Sequence, residues 1–171
     1  DLPAPVSSQG LPHLALVGSP WFYEGYPRDL ILGLKLRGRR VAAAPLGAAI
    51  AGWLDRHGTG ATAITWVPGR KRDMRARGFD HAEAIARVAS SLLGLPALSL
   101  LTRTSERPDQ TTLDALQRRR NLVGAFTAAT SPKAILLIDD LMTTGATLIA
   151  CAQALKASGA GHVEGVTACR V

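Results

Sequence analysis

The sequence predicts an α/β fold, a Rossmann-like parallel sheet flanked by helices. Three observations carry that prediction. Residues 135–138 read ILLI, a short aliphatic run of the kind that forms a strand buried on both faces. The run passes through Asp139 and Asp140 into a threonine-rich turn containing Gly145, then into an apolar helical pattern at Leu148, Cys151, Ala152 and Leu155. Residues 62–93 repeat the plan of strand, loop and helix, and repeated units of this kind build parallel sheets.

The chain has 171 residues, 47% of them apolar, and a mean hydropathy of +0.12. That suits one globular domain over residues 1–171 and excludes a disordered chain. Lysine and arginine number 20 against 13 acidic residues, a formal charge of +7, which favours anionic partners without choosing among them. Cys151 and Cys169 lie far apart, fit no metal pattern, and read as small buried residues of a cytoplasmic protein. The most apolar window, VAAAPLGAAIAGWL at residues 41–54, falls short of the ~20 residues a membrane span needs. It reads as a buried helix, and no membrane insertion is expected.

In chain order, residues 1–22 form an irregular N-terminal extension or small hood, with an apolar run at 14–17 as a candidate strand. Residues 23–40 follow as a helix, with Pro27 in its first turn, an apolar face at Leu30, Ile31 and Leu34, and Gly38 as its stop. Lys35 and Arg37 on it are placed to reach a diphosphate. Residues 41–56 are the second helix and β-branched TAITWV at 62–67 a strand. Pro68 and Gly69 end that strand and open a basic loop with Arg70, Lys71, Arg72, Arg75 and Arg77. Residues 79–93 have helical periodicity, 98–101 read as a short strand, and 102–121 as a long polar, basic loop. Residues 123–126 lead by a turn into the ILLI strand, and residues 162–169 form the last strand.

The chemistry concentrates after ILLI. A turn at the carboxyl end of a parallel strand and the start of a helix presents free N–H groups and a favourable dipole to an anion. Gly145 lets that anion approach the backbone, and Thr143, Thr144 and Thr147 add hydroxyls. Two carboxylates beside a phosphate would repel it unless they address something else on the same ligand, such as sugar hydroxyls or a metal. A ribose 5-phosphate fits, with its phosphate in the turn and its 2- and 3-hydroxyls on Asp139 and Asp140. An aspartate pair before a turn also occurs in Rossmann-like strands without this role. Other sites are excluded or weak. A GxxxxGK[ST] loop is absent, and Gly58 and Gly60 precede a strand where a dinucleotide fingerprint follows one. His13, His57, His81 and His162 are isolated, and a receiver-type phosphoacceptor would leave the Thr-Gly turn without purpose.

ILLIDDLMTTGAT resembles the phosphoribosyl-diphosphate (PRPP) motif of type I phosphoribosyltransferases. The wider pattern resembles their ComF (ComFC-like), competence-associated branch: LILGLKLRGRR, Val67-Pro68, Arg77-Gly78-Phe79, Arg103 with Gln110, Arg118 with Asn121, GAF at 124–126, and SGAGHV, in that order. Members usually begin with a four-cysteine zinc ribbon, which these residues lack, and carry Asn-Gln where this chain has Asp80 and His81. The resemblance implies a type I phosphoribosyltransferase fold with a small N-terminal hood. It implies a reaction in which a nitrogen nucleophile displaces diphosphate from PRPP, with Mg²⁺ held mainly by the ligand and at most assisted by Asp139 and Asp140. Asp139 and Asp140 would bind ribose hydroxyls, and Thr143, Thr144, Gly145, Ala146 and Thr147 the 5-phosphate. Val67, Pro68, Gly69 and Arg70 would form a diphosphate loop, joined by Lys71, Arg77 and Lys35. Arg103 and Arg107 would act from a mobile catalytic loop over residues 103–120. Implied partners are PRPP or a related ligand, single-stranded DNA, competence proteins and a second copy of the chain. The alternative is a non-catalytic DNA-binding or competence accessory protein on the same fold. Few aromatics, 5% of residues, make any DNA contact phosphate-driven rather than stacked.

Overall fold

The computed structural model describes residues 11–104 and 124–171. Its main sheet has five strands, β1 (Leu16–Gly18), β2 (Trp21–Phe22), β3 (Ala63–Trp66), β6 (Ala134–Met142) and β7 (His162–Arg170). The order is β1-β7-β6-β3, with β2 also on β7, and every pairing is parallel. Two short strands, β4 (Leu101–Arg103) and β5 (Phe126–Ala128), pair antiparallel in a separate ribbon. The helices are α1 (Gly25–Leu36), α2 (Ala43–His57), α3 (Lys71–Arg77), α4 (His81–Leu93) and α5 (Ala146–Ala157).

Strand alternation divides the core. On β6, Leu136 and Ile138 pack with Leu34, Leu46, Ile50, Trp53 and Ile85 of α1, α2 and α4. Ile135 and Leu137 pack with Leu148, Cys151 and Leu155 of α5 and with Leu101 and Phe126 of the ribbon. Residues 135–138 are wholly buried, worth about 1.5–3 kcal/mol per large aliphatic side chain. Helices on both faces are what allow a strand to be apolar at every position.

Several expectations are corrected. The basic stretch after β3 is largely helical, as Lys71–Arg77 form α3. That helix has no buried residue, so it carries no apolar period by which sequence could reveal it. The strand placed at 98–101 is Leu101–Arg103 instead, while residue 97 makes a single parallel bridge to Ile64. Helix α2 is only partly buried, with Val41 just before it 80% exposed. Of the N-terminal stretch, residues 1–10 lie outside the described residues, whereas Leu16–Gly18 and Trp21–Phe22 are strands of the main sheet. Both cysteines are buried and free, and burial pushes the Cys169 thiol up to about 12. Among the described residues, no helix is long and apolar enough to cross a membrane.

Candidate functional site

The site lies where β6 and β3 end. Strand β6 does not stop before its aspartates. It runs on to Met142 because β7 continues beside it, pairing Asp139 with Thr167, Leu141 with Cys169 and Met142 with Arg170. Asp139 and Asp140 are therefore strand residues whose orientation is set by the ladder. Asp140 continues the Leu136–Ile138 face, toward α1 and α4, and is 2% exposed.

Two side chains from those helices meet Asp140. The Lys35 ammonium, in the last turn of α1, lies 2.7 Å from Oδ2, and His81 Nε2, in the first turn of α4, lies 3.3 Å from the same oxygen. Burial works to lower the Lys35 pKa, but the charge and hydrogen bond of Asp140 outweigh it and leave it above the ordinary lysine value. Burial holds the His81 pKa below the ordinary histidine value despite the opposing pull of Asp140. The hydrogen bonds fix its tautomer. Arg77 Nη2 lies 3.3 Å from His81 Nδ1, and a guanidinium can only donate. Nδ1 therefore accepts, which leaves the Nε2 side facing Asp140 Oδ2 at 3.3 Å, an oxygen that has no well-aligned hydrogen bond among the described residues. Arg77 also donates weakly to the Lys35 carbonyl at 3.4 Å.

Asp139 is half-buried, and its Oδ1 accepts the Asp140 N–H at 2.8 Å. Burial first, then the neighbouring Asp140 charge, holds its pKa well above the usual carboxylate range. His81, Asp139 and Asp140 each offer a ligand atom, all within 4.8 Å of one another. The arrangement does not fit a metal held by the protein alone. The ammonium of Lys35 already stands 2.7 Å from the buried Asp140 oxygen, in the place a cation would take.

The turn after β6 joins that strand to α5 at the carboxyl edge. Gly145 has φ +75° and is the N-cap of α5. A Cβ there would sit 2.9 Å from the tip of the Leu11 side chain, which can shift, so it is the backbone conformation that favours glycine. Thr143 is exposed, Thr144 and Thr147 half-buried, Ala146 buried, and Thr144 Oγ1 accepts the Ala146 N–H at a long 3.4 Å. α5 has no acidic residue in its first turn, which leaves that end open to an anion.

The loop of Val67, Pro68, Gly69 and Arg70 is at the same edge, but its expected donor is occupied. The Gly69 N–H donates to Asp80 Oδ2 at 2.7 Å, while Asp80 Oδ1 accepts from Ala82 and Glu83 and caps α4. Arg70 is the extended N-cap residue of α3 and Lys71 its first residue, so Lys71 is helical and not part of the loop. Arg103 ends β4 with its guanidinium 4.7 Å from the Phe126 ring centroid, and its Nε donates to the Pro68 carbonyl at 3.2 Å. It braces this loop from behind. Arg107, Gln110, Arg118 and Asn121 lie outside the described residues.

The structure thus brings together Asp139, Asp140, Lys35, Arg77 and the Gly145 turn, and adds Asp80 and His81. Their signal was present in outline, since they open a helix directly after a loop at the predicted ligand edge. The arrangement can receive an anion at the turn and polar hydrogens at the carboxylates.

No family model matches the chain. Competence protein F of Haemophilus influenzae (strain Rd) is 31% identical over 94 residues, 52% of this chain and 41% of that protein. DNA utilization protein YhgH of Escherichia coli (strain K12) is 33% identical over 110 residues, 63% of this chain and 48% of that protein. The chain spans about half the length of the curated relatives it matches. These relatives agree with the resemblance to competence-associated proteins carried by the motifs. Among solved structures, the allosteric regulatory enzyme of purine biosynthesis aligns with TM-score 0.48 and 15% identity over 73% of this chain and 26% of that one. A purine phosphoribosyltransferase from Pyrococcus horikoshii Ot3 aligns with TM-score 0.41 and 15% identity over 76% and 80%.

Proposed function

We propose that this chain is a phosphoribosyltransferase-like protein that binds PRPP, or a closely related ribose 5-phosphate, at the carboxyl edge of its sheet. The observation that carries the reading is the continuity of Asp139 and Asp140 with the Gly145 turn at the start of α5. Within a few residues the backbone offers carboxylates for sugar hydroxyls and a cradle for a phosphate. Thr143, Thr144 and Thr147 add donors, Lys35 stands beside Asp140, and Arg70 and Lys71 supply positive charge across the edge.

In this reading the chain transfers the 5-phosphoribosyl group to a nitrogen nucleophile as diphosphate leaves. Magnesium, carried by the ligand's diphosphate, supplies charge neutralisation. The chain's own part is orientation and electrostatic stabilisation of the leaving group. Asp140 and Asp139 fix the ribose, the turn fixes the 5-phosphate, and Asp80 and Arg103 hold the loop at 67–70 in place. The names of the relatives, competence protein F and DNA utilization protein YhgH, support a role in DNA uptake or use.

A second reading is a DNA-binding protein on the same fold. It is favoured by α3, which carries Lys71, Arg72, Arg75 and Arg77 with no buried residue. Such binding would fall steeply with added salt.

Calorimetric titration with PRPP and Mg²⁺ tests the first reading. Wild type should bind, and Asp139→Asn/Asp140→Asn should lose binding. A folded wild type that binds no PRPP, yet binds single-stranded oligonucleotide with a steep salt dependence, would replace the first reading with the second.

A further inference from the structure

We propose that the outer groove between α2 and α4 docks one helix of a partner protein, an amphipathic helix whose apolar stripe lies along the groove and whose acidic residues meet Arg39 and Arg40. The inference uses no residue of the carboxyl-edge site and is independent of the phosphoribosyl reading. Its starting point is a mismatch between sequence and burial. Residues 43–54 of α2 read AAPLGAAIAGWL, without a charged, hydroxyl or amide side chain. A helix apolar on every side is normally enclosed. Here Leu46, Ile50, Trp53 and Leu54 are buried, yet Ala44 and Ala48 stand exposed one turn apart. Val41, in the single helical turn before α2, is 80% exposed, and Leu92 of α4 is 60% exposed.

These side chains line one open trough of about 590 Å³. The two helices pack tightly beneath it, since a Cβ on Gly47 would come 2.6 Å from Val88 Cβ. Ala44, Ala48, Ala84 and Val88 make the trough a furrow between helices with small side chains along it. A furrow of this kind accepts a ridge, and a row of side chains at i and i+4 on a third helix is such a ridge. A lipid surface needs a protruding apolar face, and a nucleic-acid backbone needs charge along the floor.

Charge sets the sign of the partner. No acidic residue occurs between Asp29 and Asp55. Arg40 lines the end of the trough where α2 begins, and Arg39 precedes it. Both are exposed, and neither forms an ion pair among the described residues. The Arg40 guanidinium lies 5.9 Å from the Phe79 ring centroid, a contact that directs it and leaves its charge uncompensated. The first turn of α2 contains no acid, so its helix dipole adds to the positive end. On the α4 side, Arg87 already lies 2.7 Å from Glu83. The uncompensated charge therefore stands at one end of an apolar furrow, where it orients an acidic helix as well as selecting it.

The test uses two synthetic helix-forming peptides of about 15 residues. They share one leucine and alanine stripe at i, i+4 and i+7 and carry either glutamates or lysines elsewhere. Fluorescence anisotropy reads their binding to wild type, Ala48→Arg and Arg39→Glu/Arg40→Glu, with thermal melts to establish folding. Wild type should bind the glutamate peptide at least about tenfold more tightly than the lysine peptide. Ala48→Arg fills the trough from an exposed position with a good helix former, and should weaken the glutamate peptide at least about tenfold. Arg39→Glu/Arg40→Glu should reverse the preference. A wild type that binds neither peptide, or both alike, overturns the proposal. So does glutamate-peptide binding that survives Ala48→Arg, which would place it on the basic surface of α3. Sedimentation of the chain alone supplies a further outcome: a dimer that Ala48→Arg dissociates would make the groove a contact between copies and overturn the proposal.

Discussion

Glu164 and Asp140 are both buried carboxylates on neighbouring strands of one sheet, at 4% and 2% exposure, yet the fold treats them differently. Glu164 lies near the start of β7, at the amino edge. It accepts from Thr59 Oγ1, from the Gly60 N–H at 2.8 Å and from His162 Nε2 at 2.8 Å. These donors come from the short connection before β3 and from its own strand, and they use both of its oxygens. Asp140 lies near the end of β6, at the carboxyl edge, and among the described residues its carboxylate meets Lys35 and His81, both on one oxygen. The first carboxylate is a clasp completed by the fold. The second is held by one side chain from each of two helices. On the proposed reading, the same residue chemistry serves stability at one edge of the parallel sheet and recognition at the other, where open α/β sheets place their ligands.

Substitutions can break or sharpen that contrast. Glu164→Ala should have the largest effect on stability, about 2–3 kcal/mol in urea unfolding, through three lost hydrogen bonds to a charged group. It should leave ligand affinity unchanged. Gly145→Val should cost about 2 kcal/mol, since a β-branched residue at φ +75° is strained and its Cβ would press on Leu11. It should also remove phosphate binding. Asp140→Ala should cost only about 1 kcal/mol, because partly exposed Lys35 regains water and a buried charge is removed. Its effect on PRPP affinity should be at least about 100-fold, from two or more lost interactions. A stability loss for Asp140→Ala exceeding that for Glu164→Ala would break the contrast.

The smallest effect is a pH dependence at Asp139. Its folded pKa is raised by burial and by Asp140, so the ionised form is penalised in the folded state. That penalty is absent below the unfolded carboxylate value, ~3.9, and grows as pH rises above it toward the folded value. Asp139→Asn should therefore raise the melting temperature at pH 7 by a few degrees, with the gain vanishing near pH 4. A gain that grew as pH fell would contradict this account of Asp139.

The parts of this site that sequence reveals are those written locally. The ILLI run, the Gly145 turn and the start of α5 are contiguous, and each rests on a short-range rule: an aliphatic run, a positive φ and a helix N-terminus. What sequence hides is long-range or unpatterned. Lys35, His81 and Asp140 meet from three elements, and nothing in the spacing of Lys35 or His81 announces a shared carboxylate. The Gly69 N–H looked available because Asp80, which occupies it, stands 11 residues away across α3. α3 itself was hidden by its lack of a buried face, and β2 by its length of two residues. The extent of β6 was underestimated because two aspartates look like a strand's end, whereas pairing with β7 carries the ladder past them.

The most direct test of the carboxyl-edge site is a ³¹P NMR titration of PRPP with Mg²⁺ against wild type and Gly145→Val, since the 5-phosphate and the diphosphate give separate resonances. If the turn is the cradle, wild type shifts or broadens the 5-phosphate resonance together with the diphosphate, and Gly145→Val abolishes the 5-phosphate change selectively. A wild type that perturbs only the diphosphate resonances, equally in both proteins, would mean that the basic residues of α3 attract the ligand and the Gly145 turn holds no phosphate.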